Sequence, residues 1–375
     1  MYCRNYRDTD DRISLLGLGC MRLPKRAPDK EDIDYPEAQK LVDYAFSHGV
    51  NYFDTAYRYH GGDSELFVGQ ALKKYPRDSF HLATKLPIWL LETPEDIDRI
   101  FEDQLQRLQV EYFDFYLLHA LSKDSFEKSE QLGVYRRLSQ LKEQGKIRRL
   151  GFSFHDSPKV LEQIAAAHAW DFAQIQLNYL DWEMQDAKGQ YEILERSHIP
   201  VVVMEPVRGG TLASLCQESN DLFQAAAPQR SVASWAIRYA ASLPGVMTVL
   251  SGMSNLEQME DNVRTMTDFS PLTQEEYRVV EQALAAYREK VTIPCTGCRY
   301  CIECPQTIPI PEVFAAYNRY AVTKDLGGLK RSVQELAEQE QPSRCIQCGA
   351  CAALCPQGIA IPEQLKKILA LVQEG

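Results

Sequence analysis

The chain has 375 residues, with 41 basic and 52 acidic side chains, for a formal charge of −11; that length suits two or three average domains, or one large barrel plus a small module. At 45% apolar, 25% charged and 10% aromatic it has a folded globular composition, which excludes a disordered chain. The acidic balance argues against a nucleic-acid surface, no apolar run is long enough for a membrane span, and the charged opening MYCRNYRDTDDR lacks the apolar stretch of a secretory signal, so a cytoplasmic location is expected.

Short apolar or β-branched runs alternate with longer amphipathic stretches from residue 15 to about 266. The predicted strands are 15–19, 51–55, 80–86 and 113–119, then 147–154, 172–177, 200–205 and 246–252. The stretch PEAQKLVDYAFSHG places Leu41, Val42, Ala45 and Phe46 on one helical face. PEDIDRIFEDQLQRL is expected to open with Thr93 as its N-cap, Pro94 at the first helical position and acidic residues in the first turn. Eight strand–helix units over roughly 250 residues is the rhythm of a (β/α)8 barrel. A doubly wound sheet usually stops at five or six strands. LGLGCMR (16–22) contains G-x-G, but Arg22 stands where a dinucleotide fingerprint needs its third glycine. A further helix is expected over 272–290, and a second domain over 291–375.

Cysteine placement marks that second domain. Cys3, Cys20 and Cys216 are scattered and read as small apolar residues. The other eight lie in two quartets, Cys295, Cys298, Cys301, Cys304 and Cys345, Cys348, Cys351, Cys355, each closed by Cys-Pro. The segments 295–314 and 345–365 form an internal repeat, with a mainly helical stretch between them broken at Gly327–Gly328. Structural zinc prefers separated C-x2-C pairs, whereas tandem quartets ending in Cys-Pro suit iron–sulfur clusters. The region resembles the bacterial-type dicluster ferredoxin domain, of a mainly helical variety. That resemblance implies two [4Fe-4S] clusters, with the fourth cysteine of each motif serving the other cluster. Cys295, Cys298, Cys301 and Cys355 would hold one, and Cys345, Cys348, Cys351 and Cys304 the other. The first motif is one residue shorter in its last gap.

In the barrel region the most informative stretch is GVNYFDTAYRYHGGDSELFVGQAL (49–72), in which a strand ends in Asp and a Tyr follows five residues on. ATKL (83–86), YLLHA (116–120), IRRLGFS (147–153), AQIQLNY (173–179) and SGMSNLEQMEDNV (251–263) come next in order. These segments resemble the aldo-keto reductases over about residues 10–270. The resemblance implies Asp54, Tyr59, Lys85 and His119 as the catalytic group, at the C-terminal rim of the barrel.

That set is chemically coherent. A carbonyl accepts hydride when its oxygen is protonated or strongly hydrogen-bonded. A phenol is a poor acid at neutral pH. The Lys85 ammonium is expected to favour the phenolate of Tyr59 and lower its pKa, with Asp54 holding the ammonium and His119 orienting the substrate. Singly, each has a plainer reading: Asp54 a cap, Tyr59 a rim aromatic, Lys85 a solvated end, His119 a core histidine. Four in this order favour catalysis.

The resemblance further implies a bound nicotinamide, NADP or NAD. Ser153 and Gln174 match the carboxamide-holding residues. Pro206, Arg208, Gly209 and Gly210 match the loop over the pyrophosphate. Gly252, Met253, Ser254, Gln258, Asp261 and Asn262 fall on the adenosine-phosphate segment. Met204 stands where some relatives stack an aromatic on the nicotinamide, and Phe154 where many have Asn. Gly252 and Gln258 replace basic residues that often grip the 2′-phosphate, which weakens the case for NADP. Arg22 and Trp89 lie on loops expected to reach the pocket, or form a salt bridge and a core-edge indole. Three functions are compatible with these features: a reductase of a small-molecule aldehyde or ketone whose ferredoxin module is mainly structural, a redox protein whose clusters carry electrons to or from the barrel site or a protein partner, and a binding module that kept the barrel but lost turnover.

Overall fold

The computed structural model describes residues 1–27, 32–289, 293–301 and 303–374. It divides into two compact units, Met1–Pro206 with Ser234–Leu272, and Val207–Ala233 with Thr273–Gly375. The expected domain boundary at 290/291 falls outside the described residues.

The first unit is a closed eight-stranded parallel barrel. Two short strands, β1 (Cys3–Asn5) and β2 (Arg12–Ser14), precede it as an antiparallel pair. The barrel strands are β3 (Leu16–Gly19), β4 (Tyr52–Asp54), β5 (His81–Pro87), β6 (Phe113–Leu121), β7 (Ile147–Phe154), β8 (Phe172–Gln176), β9 (Val201–Met204) and β10 (Val246–Ser251). They pair in sequence order, and β10 closes on β3 with Val249 opposite Leu16. Each lies on one of the predicted strand segments. Burial on both faces writes barrel strands as continuous apolar runs.

Phe115, Tyr52, Phe172, Leu117, Val202 and Leu250 are among the residues packed inside the barrel, together with Tyr6 and Ile13 of the N-terminal hairpin. Asn51, just before β4, ties the hairpin to the N-terminal end of the strands, accepting from Ser14 N at 2.8 Å and donating to Arg12 O at 2.8 Å. The hairpin strands CRN and RIS carry no apolar run, so the hairpin is absent from the predicted elements. Gly151 on β7 is required by space, because a Cβ there would lie 2.5 Å from the Phe172 carbonyl oxygen.

The outer helices bury the expected faces. In Tyr35–Ser47, Leu41, Val42 and Ala45 are buried, and Asp34 caps the helix by accepting from Glu37 N at 3.2 Å. Phe46 is only partly buried and stacks on Tyr75 at 3.8 Å. In Glu95–Leu108 the expected Thr93 cap is replaced. Asp96 Oδ2 accepts from Glu92 N at 2.8 Å and Thr93 N at 3.0 Å, because its longer-range carboxylate reaches back over the first turn.

In the second unit, Gln217–Ala226 and Gln274–Arg288 are helices joined by Ser219 Oγ donating to Ala283 O at 2.7 Å. The cysteine-rich part adds helices Ile310–Thr323, Leu326–Gln334, Ala350–Ala353 and Ile361–Glu374. Gly327 and Gly328 do not break the chain. They lie in the first turn of Leu326–Gln334, capped by Asp325 accepting from Gly328 N at 2.8 Å, and the break is at Lys324, with φ of 60°. Ile308, Ile310, Phe314, Ile359, Ile361 and Ile368 build this part's core.

Candidate active site and cysteine cavities

Asp54 ends β4, and Lys85 and His119 lie toward the C-terminal ends of β5 and β6, with Tyr59 in the loop after β4. In-register pairing sets Asp54 beside Ala83, and Pro87 beside His119. Lys85 Nζ donates to Asp54 Oδ1 at 2.7 Å, to the Thr55 carbonyl at 2.8 Å and to the Tyr59 hydroxyl at 3.3 Å. Lys85 is fully buried and Asp54 nearly so. The Tyr59 and His119 rings meet edge-on at 6.0 Å. The four residues therefore form one group at the rim.

Electrostatics correct one expectation. The phenol of Tyr59 is not acidified. Burial pushes its pKa well above the ordinary value, and the charges of Asp54 and Glu205 push the same way. The physical reason is compensation. Asp54 sits against the ammonium, so the phenol faces a nearly cancelled pair rather than a bare cation, and desolvation wins. Tyr59 is therefore a protonated phenol at neutral pH. Burial also raises the Asp54 carboxyl, against the pull of Lys85. His119 is held well below its ordinary value, by burial first and then by Lys85 and His155, so its imidazole is neutral. His119 Nδ1 is buried with no hydrogen-bond partner among the described residues.

Several neighbours carry no mark in the sequence as site residues. Glu205, at φ of 54°, pairs with Arg22 at 3.1 Å, and its carbonyl accepts from Asn178 Nδ2 at 3.0 Å. Arg22 thus takes the salt-bridge reading, and its charge opposes the upward shift of Tyr59. Trp89 is exposed, with its ring 4.9 Å from that of His119, so it is a rim residue rather than a core-edge one. Behind Lys85, Glu65 is wholly buried and accepts from Thr84 Oγ1 and Gln104 Nε2, each at 2.6 Å. Gln104 also donates to the Lys85 carbonyl at 3.1 Å. No local signal marks Glu205 or Glu65, since their roles come from strands and helices distant in sequence.

The residues assigned to the nicotinamide fall in three places. Ser153 and Gln174 are register neighbours on β7 and β8, both buried. Ser153 Oγ accepts from Ala120 N at 2.7 Å, which leaves its hydroxyl proton to donate. Gln174 Nε2 points to Met204 Sδ at 3.5 Å, and its Oε1 is buried without a partner among the described residues. An amide edge of this kind fits a carboxamide. Gly252, Met253 and Ser254 come after β10, and Gln258, Asp261 and Asn262 lie on the helix Leu256–Thr267. Gln258 Oε1 accepts from Ser254 N at 2.8 Å, Asp261 pairs with Arg264 at 2.6 Å, and Asn262 donates to Ser251 Oγ at 3.0 Å. Pro206 closes a segment of the first unit, whereas Arg208, Gly209 and Gly210 belong to the second. There Arg208 is buried and donates to Gln357 Oε1 at 3.2 Å.

The eight cysteines line two cavities. Cys295, Cys298, Cys301 and Cys355 line one, and Cys304, Cys345, Cys348 and Cys351 line the other. The sequence repeat is a backbone repeat. Gly297 and Gln347 have positive φ two residues after the first cysteine of each motif, and Arg299 and Gly349 one residue after the second. Both Cys-Pro turns close alike, with Thr307 N donating to Cys304 O at 2.8 Å and Gly358 N to Cys355 O at 3.0 Å. The shorter gap in the first motif therefore leaves the turn intact. Gly297 N also donates to Cys295 Sγ at 3.4 Å. Four thiols around an apolar cavity, with amides turned toward sulfur, suit a cluster of several metal ions.

Comparison with known proteins decides the family. A model of the aldo/keto reductase family matches residues 15–285. The chain belongs to the aldo/keto reductase family. As a member it is an oxidoreductase, of a family that uses NAD(P)H. A 4Fe-4S dicluster domain matches residues 294–360 of this reductase. The chain is 35% identical over 172 residues to probable aldo-keto reductase 1 of Glycine max, covering 44% of this chain and about half (48%) of that protein. It is 27% identical over 301 residues to the NADH-specific methylglyoxal reductase of Escherichia coli, covering 69% and 91%. Among solved structures, the holo form of aldo-keto reductase AKR11C1 from Bacillus halodurans aligns with a TM-score of 0.61 at 28% identity, covering 76% of this chain and 96% of that one. Among the described residues no helix is long and apolar enough to cross a membrane.

Proposed function

We propose that this protein reduces a small aldehyde or ketone, with Tyr59 as the general acid. The carrying observation is the Lys85 ammonium, set 2.7 Å from Asp54 and 3.3 Å from the Tyr59 hydroxyl. A bound NADH or NADPH would supply the hydride to the carbonyl carbon. Ser153 and Gln174 would hold its carboxamide, Met204 would lie beside the ring, and the segment from Gly252 to Asn262 would take the adenosine end. Tyr59, kept protonated by burial, donates its proton to the carbonyl oxygen as charge develops there. Lys85 then meets the phenolate left behind, and Asp54 holds Lys85 in place. Neutral His119 donates a hydrogen bond to the same oxygen and orients the substrate, with Trp89 as the outer wall. The product is the alcohol, its new C–H from the cofactor and its O–H proton from Tyr59.

The second domain, taken as 291–375, would hold two [4Fe-4S] clusters, one in each four-cysteine cavity. An electron-transfer reading with a protein partner is favoured by Cys348, the exposed member of the eight. The test is NADH and NADPH oxidation over a panel of carbonyl compounds, with cluster reduction followed by EPR. Turnover that survives Tyr59→Phe removes the proposed acid. Turnover absent on every carbonyl, with clusters that reduce and reoxidise, favours the electron carrier.

A further inference from the structure

We propose that Glu65 and Ser64 are positioning residues for Lys85: adjacent in the first turn of one helix, they hold the lysine from its two ends and so set the distance between its ammonium and the Tyr59 hydroxyl. This role rests on the reductase reading.

Ser64 and Glu65 lie at the start of the helix Asp63–Leu72, and both are fully buried. Glu65 acts on the backbone end of the lysine. Its Oε1 accepts from Thr84 Oγ1 and from Gln104 Nε2, each at 2.6 Å. Gln104 Nε2 also donates to the Lys85 carbonyl at 3.1 Å, and Gln104 Oε1 accepts from the Tyr116 hydroxyl at 2.6 Å. Ser64 acts on the ammonium end. Its hydroxyl lies 2.8 Å from that of Thr55, whose carbonyl accepts from Lys85 Nζ at 2.8 Å. Ser64 Oγ also donates to the Cys20 carbonyl at 3.2 Å. Thr55, Thr84, Gln104 and Tyr116 are fully buried as well.

Hydrogen-bond chemistry fixes the orientation of this network. A primary amide can present either its oxygen or its two N–H groups to a neighbour. Glu65 Oε1 accepts, so Gln104 turns its N–H groups toward it, and one of them is left for the Lys85 carbonyl. Thr84 and Lys85 are consecutive on β5, so their side chains leave the strand on opposite faces, one to this network and the other toward Asp54 and Tyr59. The ammonium's contact with Tyr59, at 3.3 Å, is the longest of its three hydrogen bonds among the described residues. It is therefore the first to be lost when either end of the lysine shifts.

The test is carbonyl reduction by the full chain, reading kcat, the carbonyl KM and, by fluorescence, the nicotinamide Kd. Glu65→Leu should lower kcat roughly 10–100-fold and leave Kd in place. Glu65→Gln keeps an accepting oxygen and should restore kcat. Ser64→Ala is the smaller change and should lower kcat with the same constancy of Kd, which keeps the role testable should the leucine variant not fold. In a Lys85→Met background, followed by single-turnover oxidation of the nicotinamide, neither substitution should slow the reaction further, because no ammonium remains to be positioned. An unchanged kcat in a folded variant overturns the role of the residue replaced. A loss of equal size in both backgrounds, or a Kd that rises as kcat falls, means a structural role only and overturns the proposal. Failure of the reductase reading looks different: the unaltered chain then reduces no carbonyl, or Lys85→Met turns over as fast as the unaltered chain, and the positioning role falls with it.

Discussion

Lys85 and Asp54 form a buried ion pair, 2.7 Å from nitrogen to oxygen, toward the C-terminal ends of adjacent barrel strands. Burial first, and then the charge of Asp54, keeps the neighbouring phenol of Tyr59 protonated. Asp54→Asn should therefore cost more than a contact. An uncompensated buried ammonium destabilises by about 3–5 kcal/mol, and denaturant unfolding should show that loss together with a fall in kcat.

Tyr59→Phe removes the proton and little else. Reduction should slow by roughly 10²–10⁴-fold, while the Kd for the nicotinamide, read by fluorescence, stays near that of the unaltered chain. A comparable loss of nicotinamide binding would reassign Tyr59 to the cofactor pocket.

Glu65 gives the fold a pH dependence. Burial raises its carboxyl to about 7 from an ordinary value near 4.5. Between those values the folded state binds more protons than the unfolded one, so stability falls as pH rises through this window and levels off above it. The shift corresponds to about 3 kcal/mol. Glu65→Gln should flatten this part of the stability curve, which thermal unfolding from pH 4.5 to 8 measures. An unchanged slope would place the titration elsewhere.

The crossed cysteine arrangement predicts which substitutions injure which cluster. Cys355→Ser, although in the second motif, should perturb the same EPR signal as Cys298→Ser, and Cys304→Ser the same signal as Cys348→Ser. Pairing by motif instead would contradict the two cavities.

Trp89 stands over His119 with its indole exposed. Trp89→Ala should raise KM for the carbonyl substrate several-fold and leave nicotinamide affinity unaltered. A change confined to kcat would mean that it positions His119 instead.

The barrel is legible because strands such as Val201–Met204 are largely buried on both faces and write that burial as apolar runs. The cysteine repeat is equally plain, because ligand spacing is a local property of the chain. The candidate catalytic group can be assembled from motif order, with Asp54, Lys85 and His119 each at a strand end. What sequence alone could not decide is any quantity that sums over distant neighbours. The protonation of Tyr59 depends on how completely Asp54 offsets Lys85 and on the loss of water around all three. The roles of Glu65 and Glu205 depend on residues far along the chain, and the Gln357 partner of Arg208 lies 149 positions away. The N-terminal hairpin is invisible in the sequence because its three-residue strands gain their stability from the barrel end they pack against. Periodicity and spacing are read along the chain, whereas desolvation and charge compensation exist only once the chain has closed on itself.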